Sequence, residues 1–190
     1  MAKAFFVLLC VLGYSPVFAQ DHPDYQFRAL LHKQIGITES GGLAFWAVAP
    51  DVTKTNPRQF LLVGGPLFKG SGGWLELMGG SFVKTDGTVD AAFNMRASRI
   101  GTRFLFYTEA MYVFPKKRLI VPFSVTRRVK LGALNLGFGL ESEVTLDVGA
   151  TSWRFGPRIV VPILKKASLA TVYQWHSRQS LLRQYLLLNF

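Results

Sequence analysis

The sequence has a single cysteine, Cys10, and it lies inside an N-terminal apolar run. If that run is a leader that is removed, the remaining chain has no thiol, which excludes disulfides and cysteine-based zinc sites. Histidine is almost as scarce. His22, His32 and His176 are far apart in sequence and build no metal cluster, so neither a metal nor another cofactor is expected. Acidic residues are few as well, 11 against 22 Lys and Arg, which gives a formal net charge of +11. After the N-terminal run no stretch approaches the roughly 18 consecutive apolar residues of a membrane-spanning helix. A phosphate-binding loop is also missing, because LVGGPLFKGSGG carries no Lys-Ser or Lys-Thr after its glycines.

What is present begins with MAKAFFVLLCVLGYSPVFAQ. One positive charge, Lys3, precedes an apolar run from Ala4 to Leu12, and Val17-Phe18-Ala19 puts small residues where a signal peptidase reads. The run is about half the length of a spanning helix. Residues 1–19 are therefore expected to be a secretory signal cleaved after Ala19. A lipoprotein signal does not fit, since Leu9 stands where a small residue is needed before Cys10. For an exported basic protein, lipid phosphates are more available partners than nucleic acid, which is not expected to bind.

The rest of the chain alternates with a period of two. Leu169, Thr171, Tyr173 and Trp175 share one face, opposite Gln174, His176 and Arg178. Trp153, Phe155, Ile159, Val161 and Ile163 oppose Ser152, Arg154 and Arg158, and Leu134, Leu136, Phe138 and Leu140 oppose Asn135 and Glu141. The polar faces carry Arg, Glu, Gln, His, Asn and Tyr, groups able to satisfy one another in a narrow lumen, rather than the Lys, Thr and Ser of a solvated sheet. Ten strands are predicted, at 41–49, 58–68, 72–83, 87–98, 102–114, 117–127, 130–142, 150–163, 167–177 and 180–190. Turn signals such as GSGG at 70–73, DG at 86–87 and KK at 165–166 separate them. Eight strands remain an alternative if two early ones merge. An even number returns both ends to one side, and closure removes the edges that lipid cannot hydrate.

The final strand, SLLRQYLLLNF, sets Leu182, Leu186, Leu188 and Phe190 against Arg183, Tyr185 and Asn189, up to the last residue. The leader, the repeated strands with an apolar face and this terminal aromatic together resemble the bacterial outer-membrane β-barrel proteins. The resemblance implies an all-β fold, a closed antiparallel up-and-down transmembrane barrel over 41–190, located in the cell outer membrane. It also implies that Leu186, Leu188 and Phe190 act as a signal to the barrel-assembly machinery, although such signals usually have an aromatic where Leu188 stands. Outer-membrane lipids are the expected surroundings.

Residues 20–40 are expected to precede the barrel. Phe27, Leu30, Leu31 and Ile35 follow helical spacing with Asp24 as a cap, which suggests an amphipathic surface helix or plug. An extended lead-in or an extra strand is the competing expectation. Tyr112, Trp153, Tyr173 and Trp175 suit the aromatic girdles at the two membrane interfaces. With apolar positions facing lipid, the lumen receives Glu76, Asp90, Arg96, Arg103, Glu109, Glu141, Arg154, Arg158, His176, Arg178 and Arg183. Buried charges persist only when paired, so these residues are expected to form a network that mostly fills the interior. That favours a structural or accessory subunit of a larger membrane complex. A narrow anion-preferring channel is the first alternative, since Arg exceeds the acids. A lipid-modifying enzyme is the second. It would need His176 as base, yet Ser177 beside it points to the opposite face, which leaves only Ser180 across the turn, with Glu141 or Glu143 to orient the histidine. A soluble barrel holding a lipid would need the opposite polarity, apolar within and polar without.

Overall fold

A strand exposes a row of backbone donors and acceptors at each edge, and these must find partners wherever water is excluded. Closure meets that requirement here. A computed structural model describes residues 24–53, 59–114, 116–132, 134–176 and 180–190. Its elements are all strands: β1 (Asp24–Gly36), β2 (Gly41–Ala49), β3 (Gln59–Gly70), β4 (Gly73–Lys84), β5 (Val89–Ile100), β6 (Phe104–Val113), β7 (Arg118–Leu131), β8 (Leu134–Asp147), β9 (Ala150–Leu164), β10 (Ala167–Gln174) and β11 (Leu181–Asn189). Consecutive strands pair antiparallel, and β1 pairs parallel with β11, so the sheet closes into one barrel in sequence order.

The sequence predicts ten strands, and the barrel has eleven. The added strand is β1, so the barrel begins at Asp24 and not at residue 41. Residues 24–36 take the extra-strand alternative instead of forming a helix. The helical spacing of Phe27, Leu30, Leu31 and Ile35 is overridden because the edges of β2 and β11 both need a partner. Parallel pairing runs from Asp24 opposite Leu181 to His32 opposite Asn189. Backbone bonds from Asp24 N to the Ser180 carbonyl, 3.0 Å, and from Phe190 N to the His32 carbonyl, 2.9 Å, bracket the seam. An odd strand count puts Asp24 and Phe190 at opposite rims, which corrects the expectation of ends on one side. The four β-turns or loops after β2, β4, β6 and β8 and the connection before β11 lie at the Asp24 rim, and the other five lie at the Phe190 rim.

Turn positions also differ around β7 and β8. The predicted break after residue 127 falls within β7, and 143–147 continue β8 rather than forming a long connection. Gly132 and Gly149, both at positive φ, make the actual turns. In 143–147 the alternation of Glu143, Thr145 and Asp147 with Val144 and Leu146 is itself a strand pattern.

Inside-out polarity is clear on the second half of the wall. Leu140 is 64% exposed, whereas its neighbour Glu141 is 3% exposed. The first half is different. Trp46, Leu61, Leu67, Met78 and Phe82 form a buried apolar cluster inside β2–β5, while Phe45, Leu62 and Phe93 on the same strands point outward. Both faces are apolar there, so period-two contrast is weak in those strands. Gly139 and Gly156 allow adjacent strands to approach closely. A Cβ at Gly156 would lie 1.7 Å from the Tyr173 carbonyl oxygen, and one at Gly139 1.9 Å from that of Val125.

Candidate functional site

Two polar clusters project from the strands into the lumen. The first is built on β1, β2, β4, β5 and β6. Glu76, fully buried, accepts hydrogen bonds from Trp46 Nε1 at 2.7 Å and Gln34 Nε2 at 2.7 Å, and its Oε1 lies 2.9 Å from His32 Nε2. The His32 ring stacks on Trp46 with centroids 3.9 Å apart. The other face of the cluster is held by Arg96, whose guanidinium carbon sits 3.9 Å from the Trp46 ring centroid. Arg96 donates to Asn94 at 2.7 Å and to Glu109 at 2.9 Å, and Glu109 also accepts from Tyr107 and Asn94.

The second cluster is built on β1, β8, β9, β10 and β11. Arg183, 1% exposed, donates from two nitrogens to Glu143 at 2.8 and 3.2 Å and from Nε to Gln26 at 2.6 Å. Arg28 and Arg154 stand 3.7 and 3.9 Å from Glu143. Glu141 accepts from Arg158, from the Tyr185 hydroxyl and, at 3.1 Å, from Gln174. Four arginines thus share two carboxylates. Arg28 and Arg158 each hold their guanidinium carbon 5.6 Å from the Tyr185 ring centroid, and the Nε of each is buried without a hydrogen-bond partner.

Of the residues expected in the lumen, Glu76, Arg96, Glu109, Glu141, Arg154, Arg158 and Arg183 fall in these clusters. Asp90 is buried nearer the Asp24 rim, 3.3 Å from Lys84 Nζ and 3.8 Å from Lys116 Nζ. Arg103 is exposed in the β5–β6 turn at the Phe190 rim, because the strand break at Gly101 takes it off the wall. His176 follows the end of β10 and has no hydrogen bond to Glu141 or Glu143 among the described residues; both carboxylates are occupied by arginines. Arg178 lies outside the described residues, as do the expected leader and its expected cleavage position. Ser180 precedes β11. Leu186 and Leu188 are half-buried on β11, and Phe190 is 59% exposed at its end.

Tyr112, Trp153, Tyr173 and Trp175 do not divide between two interfaces. All four lie toward the Asp24 rim, where Trp153 stacks on Phe155 at 4.9 Å and Trp175 lies 5.6 Å from both Phe155 and Tyr173. The sequence places them in strands without fixing which end of each strand meets which rim.

Gln174 and Tyr185 fall on the polar faces read from the sequence, whereas Arg28, His32, Gln34, Trp46, Asn94 and Tyr107 in the lumen were not anticipated. For the β1 members the signal was present, since Arg28, Leu30, His32 and Gln34 alternate with Phe27, Ala29, Leu31, Lys33 and Ile35, but helical spacing competed with it.

The expectation of a mostly filled interior is also corrected. A cavity of about 1100 Å³ runs between the clusters. Its lining reaches Pro50, Gln59 and Lys116 toward the Asp24 rim and Lys130, Asn135 and Asn189 toward the Phe190 rim. Opposed arginines and carboxylates hold each other beside the wall, and the cavity lies between them. Seven Lys and Arg line the cavity against four Asp and Glu. Among the described residues no group of three or more His, Cys, Asp or Glu is placed to hold a metal ion.

Fold and site together define a class: a small closed β-barrel with an apolar exterior and an interior that is apolar beside β2–β5, carries two polar clusters and contains a cavity. No protein-family model matches the chain, and no curated protein matches it in sequence. The functional reading therefore rests on the lumen and the outer surface.

Proposed function

We propose that the chain is a bacterial outer-membrane β-barrel whose lumen forms a narrow path that prefers small anions. The single observation that carries this reading is the cavity, bounded by residues near both rims and lined by seven basic against four acidic side chains. The membrane setting is supported by exposed apolar residues around the wall, among them Phe93, Phe123, Leu140 and Phe155, and by the leader-like N-terminus. Arg28 and Arg158 line the cavity with part of each guanidinium side chain exposed, so an anion entering the second cluster meets both. The arginines attract, while Glu141 and Glu143 keep the attraction weak enough for release.

Reversal potentials in planar bilayers under a potassium chloride gradient test this. Chloride preference is expected, and it should fall in Arg28→Gln and Arg158→Gln. A heat-modifiable, folded barrel that conducts nothing would remove the channel.

An accessory role in a larger membrane complex is the second reading. The observation that favours it is a groove of about 660 Å³ on the outer wall, where Gly64 and Gly79 leave a notch beside Leu31, Phe45 and Leu62. Detergent pull-down that recovers a stoichiometric membrane partner would support it.

A further inference from the structure

The two rims differ in how their charges are satisfied. At the Asp24 rim three of the four described turn and strand-end cations have carboxylates: Lys84 and Lys116 flank Asp90, Arg118 pairs with Asp147, and Lys117 alone among them is exposed without one. At the Phe190 rim the cations do not. Arg103, Lys165 and Lys166 occupy its turns, and Lys69, Arg128 and Lys130 stand at strand ends, all exposed. Lys33, Arg99 and Arg127 lie on the outer wall just inside this rim, on strands whose outward neighbours Ile35, Phe104 and Phe106 are exposed and apolar. None of these nine cations makes an ion pair among the described residues. Glu39 is the only acidic side chain in a turn or strand end of that rim, again among the described residues.

Nine like charges on one ring repel one another and require counter-anions. The outward members are next to apolar wall, where a water-soluble anion is poorly placed and a lipid phosphate is well placed. Long Lys and Arg stems lie along acyl-facing surface while their heads reach the phosphate layer. At the opposite rim the polar-tipped aromatics Trp153, Tyr173 and Trp175 take the interfacial position instead. We propose that the Phe190 rim is a basic collar that binds the headgroups of anionic phospholipids in one leaflet and so fixes the orientation of the barrel. This rests on the membrane reading above and is independent of conduction.

The test uses the full folded chain in phosphatidylcholine bilayers with spin-labelled phosphatidylglycerol or phosphatidylcholine as the probe, read by electron spin resonance of the motionally restricted lipid. A several-fold preference for phosphatidylglycerol is expected. It should weaken in 1 M salt and approach unity in a variant with Lys33, Arg99, Arg127 and Lys166 replaced by Gln, while Lys84→Gln and Lys117→Gln at the other rim leave it unchanged. Equal association of the two lipids with a heat-modifiable barrel would overturn the collar and leave the membrane reading standing. Failure of the chain to fold into any bilayer would instead overturn the membrane reading, and the collar with it.

Discussion

At the scale of single residues, the most constrained group is Glu76. It is fully buried and serves Trp46, Gln34 and His32 at once. A buried carboxylate with this many partners is costly to remove, because three donors lose their acceptor at once in a largely buried site. Glu76→Leu is expected to lower stability by about 3–5 kcal/mol. Urea unfolding of the detergent-folded protein measures this, and Glu76→Gln, which keeps one acceptor oxygen, should lose less. The sequence marks Glu76 as inward by parity alone. It does not show His32 and Trp46 as its partners, since they lie on strands 44 and 30 residues distant in sequence.

At the scale of the element, β9 shows how one position controls strand pairing. Gly156 lies against the β10 backbone, and a side chain there would meet the Tyr173 carbonyl. Backbone cannot yield as a flexible side chain can, so Gly156→Val is expected to displace β10 and reduce the folded fraction sharply. Gly79→Ala, where a Cβ meets nothing within 4 Å, should fold as the parent does. Heat-dependent gel migration compares the two. In the sequence both glycines sit in strand patterns and look alike. Whether a glycine accommodates a neighbouring backbone or leaves a notch depends on the register of the next strand.

At the scale of the whole molecule, the closed sheet carries apolar residues outward over most of its wall, which gives the membrane reading a direct test. Leu140, 64% exposed midway along β8, is replaced by Arg. In a bilayer Leu140→Arg should cost roughly 2–4 kcal/mol, as a charge at the midplane of a barrel's lipid face does. The unfolding free energy from liposomes reads this cost. A water-exposed wall would show little change. The same scale decides the lumen: eleven strands leave a cavity of about 1100 Å³, and arginines that pair along the wall do not close it.

The sequence by itself determined the all-β class, the barrel, and the inward position of Glu76, Arg96, Glu141, Arg158 and Arg183, because period-two alternation assigns each strand residue to a face without reference to any other strand. It also determined the excess of basic charge. Only the tertiary structure decided that residues 24–36 are a strand, that the first and last strands run parallel, that Tyr112, Trp153, Tyr173 and Trp175 gather toward one rim while most of the described cations without an ion pair gather at the other, and that a cavity remains in the interior. Each of these depends on which strands become neighbours and in what register. Register follows from how the faces and turns of one strand match those of the next, which the pattern of a single strand does not contain.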